Sequence, residues 1–193
     1  DSWPSGRMGS EPSNKLANFF KKNKFKLLRL KTGTPPRLLS NSIDFARCEK
    51  QKGDSVPQPF SFLTDKIKNR QIDCHITHTN QKTHSIIREN LHKSPIFNGT
   101  IQSKGPRYCP SLEDKIHRFS SKERHQIFLE PESLVCKIIY PNGISTSLPK
   151  NIQRMLLKTI NGLENVEVSQ FGYTIEYDCV DSFEINPTYE TKR

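Results

Sequence analysis

The residue best suited to chemistry is Cys109, in the stretch Gly105-Pro106-Arg107-Tyr108-Cys109-Pro110-Ser111-Leu112-Glu113-Asp114-Lys115-Ile116-His117-Arg118-Phe119. A cysteine reacts as its thiolate, and a helix N-terminus or a neighbouring cation favours that form. The stretch supplies both in prospect. Gly105 and Pro106 set a turn, and Pro110 suits the first position of a helix, where its lost N–H costs nothing. Ser111 and Asp114 have the spacing of a capping box. Leu112, Ile116 and Phe119 share one helical face, leaving Glu113, Asp114, Lys115 and Arg118 on the others. This places Cys109 at the mouth of the helix beside Arg107. On spacing alone, a capped surface helix with an incidental thiol is the commoner arrangement.

The surrounding elements must position that loop. Leu16 to Phe25 reads as a short helix and Leu27 to Leu30 as a strand. The strand feeds Lys31-Thr32-Gly33-Thr34-Pro35-Pro36-Arg37, where a glycine and two prolines predict an irregular, rigid loop. Its two flanking cations, Lys31 and Arg37, suit an anion or a ring edge. Asp44 to Asn69 reads as an exposed excursion, with a short strand at Pro59 to Phe62. Gln71 to Asn80 reads as a β-segment with Cys74, Ile76 and His78 on one side. Cys74, His78 and His84 lack the paired spacing of a zinc site, so no metal is expected. A helix from Thr83 to Leu91 follows, and strands are expected at Arg124 to Leu129 and Leu134 to Tyr140. A turn falls at Pro141-Asn142-Gly143. Pro149 leads a helix, Asn151 to Ile160, with Ile152, Met155, Leu156 and Ile160 on its apolar stripe; Asn161-Gly162 caps it. Val166 to Tyr177 supplies the last strands. Strands with interspersed helices and no regular βαβ repeat predict an α+β fold with a mixed, mostly antiparallel sheet.

The 193 residues suffice for one sizeable core or two small ones. Hydrophobic residues make up 33% and mean hydropathy is −0.71, low for a compact domain. No apolar run approaches the ~18 residues of a spanning helix. The start, Asp1-Ser2-Trp3-Pro4, has neither an initiator Met nor a signal-peptide pattern, so a fragment is expected. The net charge of +10 fits a nucleic-acid partner as well as a merely solvated surface. The five cysteines are widely spaced with no C-x-x-C, which argues against a disulfide framework and for a reducing compartment.

Several stretches, in order, resemble one family, the large flavin subunit of the tRNA wobble-uridine modification enzyme (GidA/MnmG). Besides Gly105 to Phe119 they are Arg29 to Arg37, Ile76-Thr77-His78-Thr79-Asn80, His125 to Glu132, Asn142 to Pro149 and Gly172 to Asp178. The resemblance covers nearly the whole chain. It implies a much longer parent in which residues 38–170 are the insertion, nicotinamide-side domain of a two-dinucleotide-binding flavoprotein. Residues 1–37 and 171–193 would then be flanks of its FAD-binding domain. The implied reaction modifies carbon 5 of the wobble uridine of tRNA, giving a carboxymethylaminomethyl or taurinomethyl product. It uses FAD, NADH and a folate one-carbon donor, together with a GTPase partner of the MnmE type, in a parent expected to be a homodimer.

Carried over by position, the resemblance makes Cys109 the catalytic thiol, attacking the uridine ring or holding the one-carbon unit. It assigns the nicotinamide site to Gly105, Pro106, Arg107, Tyr108, Cys109, Pro110, Ser111, Leu112, Glu113, Asp114, Lys115, Ile116, His117, Arg118 and Phe119. Ser5, Gly6 and Arg7 become flavin contacts, although Pro4 stands where the family usually has a small residue. Lys31, Thr32 and Arg37 become substrate contacts. A non-catalytic RNA-binding or interaction module is the alternative. The neighbourhoods of Phe60-Ser61-Phe62 and Tyr140-Pro141 are similar to organellar members, so a mitochondrial location is expected, or a cytoplasmic one for a bacterial source.

Overall fold

The computed structural model describes residues 4–106, 109–135 and 137–193. In chain order the elements are α1 (Asn14–Lys22), β1 (Leu27–Thr34), β2 (Arg37–Leu39), β3 (Glu49–Gln51), β4 (Cys74–His78), α2 (Gln81–Glu89), α3 (Leu112–Arg118), β5 (Gln126–Pro131), β6 (Ile138–Asn142), α4 (Lys150–Leu157), β7 (Val168–Gln170) and β8 (Tyr173–Val180). They fall into two compact units. The first joins residues 1–32, 102–109 and 174–193, and the second joins 33–101 and 110–173.

The second unit is built on a six-stranded sheet, ordered β3-β4-β5-β6-β2-β7. Its neighbouring strands pair antiparallel, with Ile76 opposite Phe128 and Leu129 opposite Pro141. This is the α+β class with a mostly antiparallel sheet that the order of elements predicts. Along β5, Ile127 and Leu129 are buried and their neighbours are not, the period of two of a half-covered sheet. The helices α2, α3 and α4 cover that side through Ile87, Leu112, Ile116, Leu156 and Leu157, all buried. Each such side chain contributes about 1.5–3 kcal/mol on leaving water. In the first unit, β1 and β8 pair as a two-stranded sheet, and α1 carries no buried residue. Among the described residues no helix is long and apolar enough to cross a membrane.

Several local expectations are corrected. The strand β1 does not stop at Leu30; it runs through Gly33 to Thr34, because a glycine keeps its ladder donor. Only Pro35-Pro36 interrupts it before β2. Pro59 to Phe62 is not a strand, since Ser61 folds it into a turn in which its Oγ accepts from Leu63 N and its carbonyl from Thr64 N. The helix expected at Asn151 is α4, and Met155 on its supposed apolar stripe is half exposed. Gln153 is inside instead: Nε2 donates to the carbonyls of Leu148 (2.7 Å) and Gly172 (2.9 Å), and Oε1 accepts from Gly172 N at 2.8 Å. A polar side chain satisfied at both ends can be buried at little cost. The strand placed from Leu134 starts only at Ile138; Cys136 in that span lies outside the described residues.

A second buried polar group joins α2 to the sheet. Thr79 Oγ1 lies 2.8 Å from His84 Nε2 and accepts from His125 N at 2.8 Å, while Thr79 N donates to the His125 carbonyl. Burial, with the positive charges of Lys115, His84 and Lys122, lowers the His125 pKa to about 4. Burial and Arg88 lower that of His84 as well. An unfolded histidine titrates near ~6.5, so between that pH and about 4 the unfolded chain takes up protons that the native state resists. Stability contributed by these rings is therefore present above pH ~6.5 and lost as pH falls toward 4. Denaturant midpoints measured from pH 7 to pH 5 are expected to fall, and His125→Gln is expected to flatten that slope. An equally steep slope in the variant would remove His125 from the account.

Candidate functional site

In the first unit, β1 carries Lys31 and Thr32, and the run 103–106 lies along it. Leu30 and Lys104 form an isolated parallel bridge, and Lys31 N donates to Lys104 O at 3.0 Å. Lys31 is buried. A Cβ at Gly105 would lie 3.1 Å from Lys31 Cε, so the glycine leaves room for the lysine stem. Cys109 N donates to the Pro106 carbonyl, and Cys109 Sγ lies 3.1 Å from Thr32 Oγ1, where either atom serves as donor. The structure thus joins the expected catalytic thiol to one expected substrate contact and brings Lys31 and Gly105 alongside. Arg107 and Tyr108 lie outside the described residues.

Ser5, Gly6 and Arg7 form a turn that closes on Ser10. Ser5 Oγ and Gly6 N both donate to Ser10 O, at 3.1 and 2.9 Å, and Arg7 Nε donates to Ser10 Oγ at 3.4 Å. A Cβ at Gly6 would lie 2.7 Å from the Glu11 carbonyl, so this glycine serves the turn itself. The donors of Ser5 and Gly6 are thus engaged within the turn.

The second unit holds the rest of the signature. The capping box is present in both directions: Ser111 Oγ accepts from Asp114 N, and Asp114 Oδ2 accepts from Ser111 N, each at 3.2 Å. The cap falls at Ser111, so Pro110 precedes the helix instead of opening it. The N–H of Leu112 donates to the Ser145 carbonyl at 2.7 Å. The early N–H groups of α3 are thus used within its own unit, and the partner that the structure gives Cys109 is a hydroxyl, not a helix end. Leu112 and Ile116 are buried as expected, whereas Phe119 is half exposed just past the end of the helix. His117 faces Phe97, with ring centroids 5.4 Å apart.

Glu113 departs most from expectation. Its spacing puts it off the apolar face of Leu112 and Ile116, yet it is 0% exposed. Its Oε1 accepts from Thr146 Oγ1 at 2.8 Å and from Ser147 N at 3.2 Å, while Oε2 is buried without a hydrogen-bond partner. Burial raises its carboxyl pKa, against hydrogen bonds that lower it. Two positions on, Lys115 Nζ donates to the Gly143 carbonyl, and burial lowers the pKa of its ammonium. These two side chains tie α3 to the segment 143–147.

Arg37, read as a substrate contact, is engaged within its own unit. Its guanidinium pairs with Glu132, donates to Thr34 Oγ1 (2.7 Å) and to the Pro35 carbonyl (2.8 Å), and lies 4.4 Å from the centroid of the Tyr140 ring. It braces the proline break between β1 and β2. Of the residues weighed as metal ligands, His84 already has Nε2 on Thr79, and no group of three or more His, Cys, Asp or Glu side chains among the described residues could hold a metal ion.

Sequence reasoning missed the buried pairings of Glu113, Gln153 and Thr79; only Gln153, in phase with Leu156, Leu157 and Ile160, carried a signal, a polar residue at an apolar helical phase. Removing one partner of a buried bonded group costs about 1–3 kcal/mol. Glu113→Ala is therefore expected to lower the unfolding free energy by about that amount. Glu113→Gln, which keeps the accepting oxygen and carries no charge, is expected to stay near wild type at pH 7. A raised carboxyl pKa contributes stability at low pH that is lost as pH rises through it, so the Gln variant should also lack that part of the pH dependence. Equal losses in both variants, by urea denaturation, would contradict the pairing.

The family described as glucose inhibited division protein A matches residues 1–193. The tRNA uridine 5-carboxymethylaminomethyl modification enzyme MnmG of Thermodesulfovibrio yellowstonii is 53% identical over 192 residues, covering 100% of this chain and 31% of that protein. The enzyme of the same name from Bacillus licheniformis is 50% identical over 192 residues, again covering 100% and 31%. Aquifex aeolicus GidA, in its form I crystal, superposes with a TM-score of 0.88 at 49% identity, over 100% of this chain and 33% of that one. The chain thus spans about a third of the length of the relatives it matches. These relatives are bacterial and lend no support to a mitochondrial form. With every residue matched and about half of them identical, the chain belongs to the glucose inhibited division protein A family, GidA or MnmG.

Proposed function

We propose that this chain is the part of an FAD- and NADH-dependent enzyme that brings the reactive thiol to carbon 5 of the wobble uridine of tRNA. The observation that carries the reading is the contact between Thr32 and Cys109, which sets a half-buried thiol against a hydroxyl on β1. The curated relatives are named for tRNA uridine 5-carboxymethylaminomethyl modification, which supports the carboxymethylaminomethyl product over the taurinomethyl one. In this reading Cys109 is the group that touches the reacting uridine or its one-carbon unit, and Thr32 fixes the direction of its Sγ. Residues 38–170 form the nicotinamide-side domain, and 1–37 and 171–193 flank an FAD-binding domain. The breaks between the two units after Thr32 and after Tyr173 fall near those boundaries, while residues 102–109 join the first unit and depart from them.

Lys31, buried against Gly105, and Thr32 are read as substrate contacts, and residues 105–119 as the nicotinamide stretch. Ser5 and Gly6, read as flavin contacts, have donors engaged with Ser10. The nicotinamide dinucleotide supplies reducing equivalents when bound, and the chain's own part is to bind and orient. The folate donor, an MnmE-type GTPase and a second copy of the parent complete the proposed assembly.

The test uses the full-length parent carrying Cys109→Ser. Wobble-uridine modification is read by mass spectrometry of tRNA nucleosides, with FAD content read by absorbance. Modification is expected to be lost with FAD retained, while Thr32→Val is expected to lower the rate without abolishing it. Full modification by the serine variant would overturn the catalytic assignment and favour a non-catalytic RNA-binding or interaction module.

A further inference from the structure

The edge of the six-stranded sheet carries a feature that the proposed chemistry leaves unused. β3 is an edge strand and pairs with β4, and residues 52–73 connect the two without a helix or strand. That is well beyond the about 12–15 residues at which a structureless connection becomes uncommon and is usually functional or disordered. None of its side chains is buried. At its tip Phe60 and Phe62 are 105% and 106% exposed, as free as in an extended chain, and Leu63 is 96% exposed. Leaving several large apolar side chains in water calls for a partner.

The geometry says which kind. Ser61 closes a turn on itself, its Oγ bonded to Leu63 N and its carbonyl to Thr64 N, so the two rings flank a fixed turn. Pro57 and Pro59 restrict the chain leading into it, which lowers the entropy lost on ordering. After the turn comes the exposed Asp65 and then Lys66, Lys68 and Arg70, three cations against that one carboxylate, all exposed, with no ion-pair partner among the described residues. Asp73, at the far end, is neutralised by Lys50 at 2.8 Å. A protein interface of this size would deplete charge around its aromatic centre. Separate aromatic rings followed by a row of cations are instead the elements of single-stranded nucleic-acid binding. Bases stack on the rings with little regard to sequence, and the cations meet the phosphates. RNA is read where its bases are unstacked, in loops and ends.

We infer that the 52–73 connection is a docking arm for single-stranded RNA, with Phe60 and Phe62 as stacking platforms and Lys66, Lys68 and Arg70 on the phosphate backbone. The inference rests on the reading above that the substrate is a tRNA, and it adds how the unpaired loop is held. No covalent step is involved. The arm supplies affinity for splayed bases, and Cys109 supplies the chemistry.

The experiment uses the FAD-loaded full-length protein, with Phe60→Ala/Phe62→Ala and Lys66→Ala/Lys68→Ala/Arg70→Ala as variants. Binding to an anticodon stem–loop and to a fully paired RNA hairpin of equal length is followed by fluorescence anisotropy across a salt series. The ring variant is expected to bind the stem–loop about tenfold more weakly or worse. Its binding to the paired hairpin and its salt slope should stay unchanged. The cation variant is expected to lower the salt slope by up to about 2. Unchanged stem–loop affinity in the ring variant, or equal weakening for both RNAs, would overturn the arm. So would a drop in FAD content or a change in oligomer mass, since the rings would then pack on the rest of the parent or on a second copy. Wild-type protein that binds the stem–loop through these rings but modifies no uridine would leave the arm standing and remove the proposed reaction.

Discussion

A stretch of backbone that is buried but neither helix nor strand must find partners for every N–H and C=O elsewhere, and the segment 143–149 sets that constraint in this protein. Ile144, Thr146 and Leu148 are buried. The segment is satisfied by side chains and backbone of the elements beside it. Lys115 reaches the Gly143 carbonyl, Leu112 N the Ser145 carbonyl, Glu113 the Ser147 amide, and Gln153 the Leu148 carbonyl. Gly172 is admitted where a Cβ would lie 2.8 Å from the Thr146 carbonyl and 2.7 Å from that of Thr34. The helices α3 and α4 and the approach to β8 are all referred to one loop. Gly143 itself, at φ +107, turns where a side chain would meet the Gln126 carbonyl.

This arrangement divides the signature into two kinds of work. From Ser111 onward its residues cap, bury and stitch, and the polar ones are directed inward as often as outward. Before Pro110 it belongs to the other unit, where Cys109 meets Thr32 on β1. A motif continuous in sequence is therefore divided between the two units, its helical half packed in one and its Cys109 held against Thr32 in the other. The same economy holds for Arg37, which looks like an anion-binding arginine but is engaged in bracing a proline break with Glu132 and Tyr140. A planar guanidinium suits both tasks, and sequence does not distinguish them.

The low hydrophobic share of the chain is unevenly spread. The second unit concentrates its apolar residues in one cluster beneath the sheet, while α1 and the 52–73 connection bury nothing. The exposed rings of Phe60 and Phe62 are thus not overflow from a crowded core. They stand in the connection from the edge strand β3 to β4, well removed in sequence from the signature, a few residues before cations with no ion-pair partner among the described residues.

The signals legible in the chain are local. The capping box at Ser111, the periodicity of α2 and α4, the α+β class and the family motifs all depend on residues within a turn or a strand of one another. Their signals survive being read one segment at a time. Element ends were less legible, as β1 shows by running through Gly33, because a glycine weakens a strand without removing its hydrogen bonds. The pairings across distance belong to the tertiary fold. Glu113 meets Thr146, Gln153 meets Gly172, and Thr32 meets Cys109 across 33, 19 and 77 positions. The physical reason is that a polar side chain is placed by where its partner lies. A carboxylate at a helical phase that reads as solvent goes inside when a hydroxyl and an amide wait there, and no periodicity within its own helix records them.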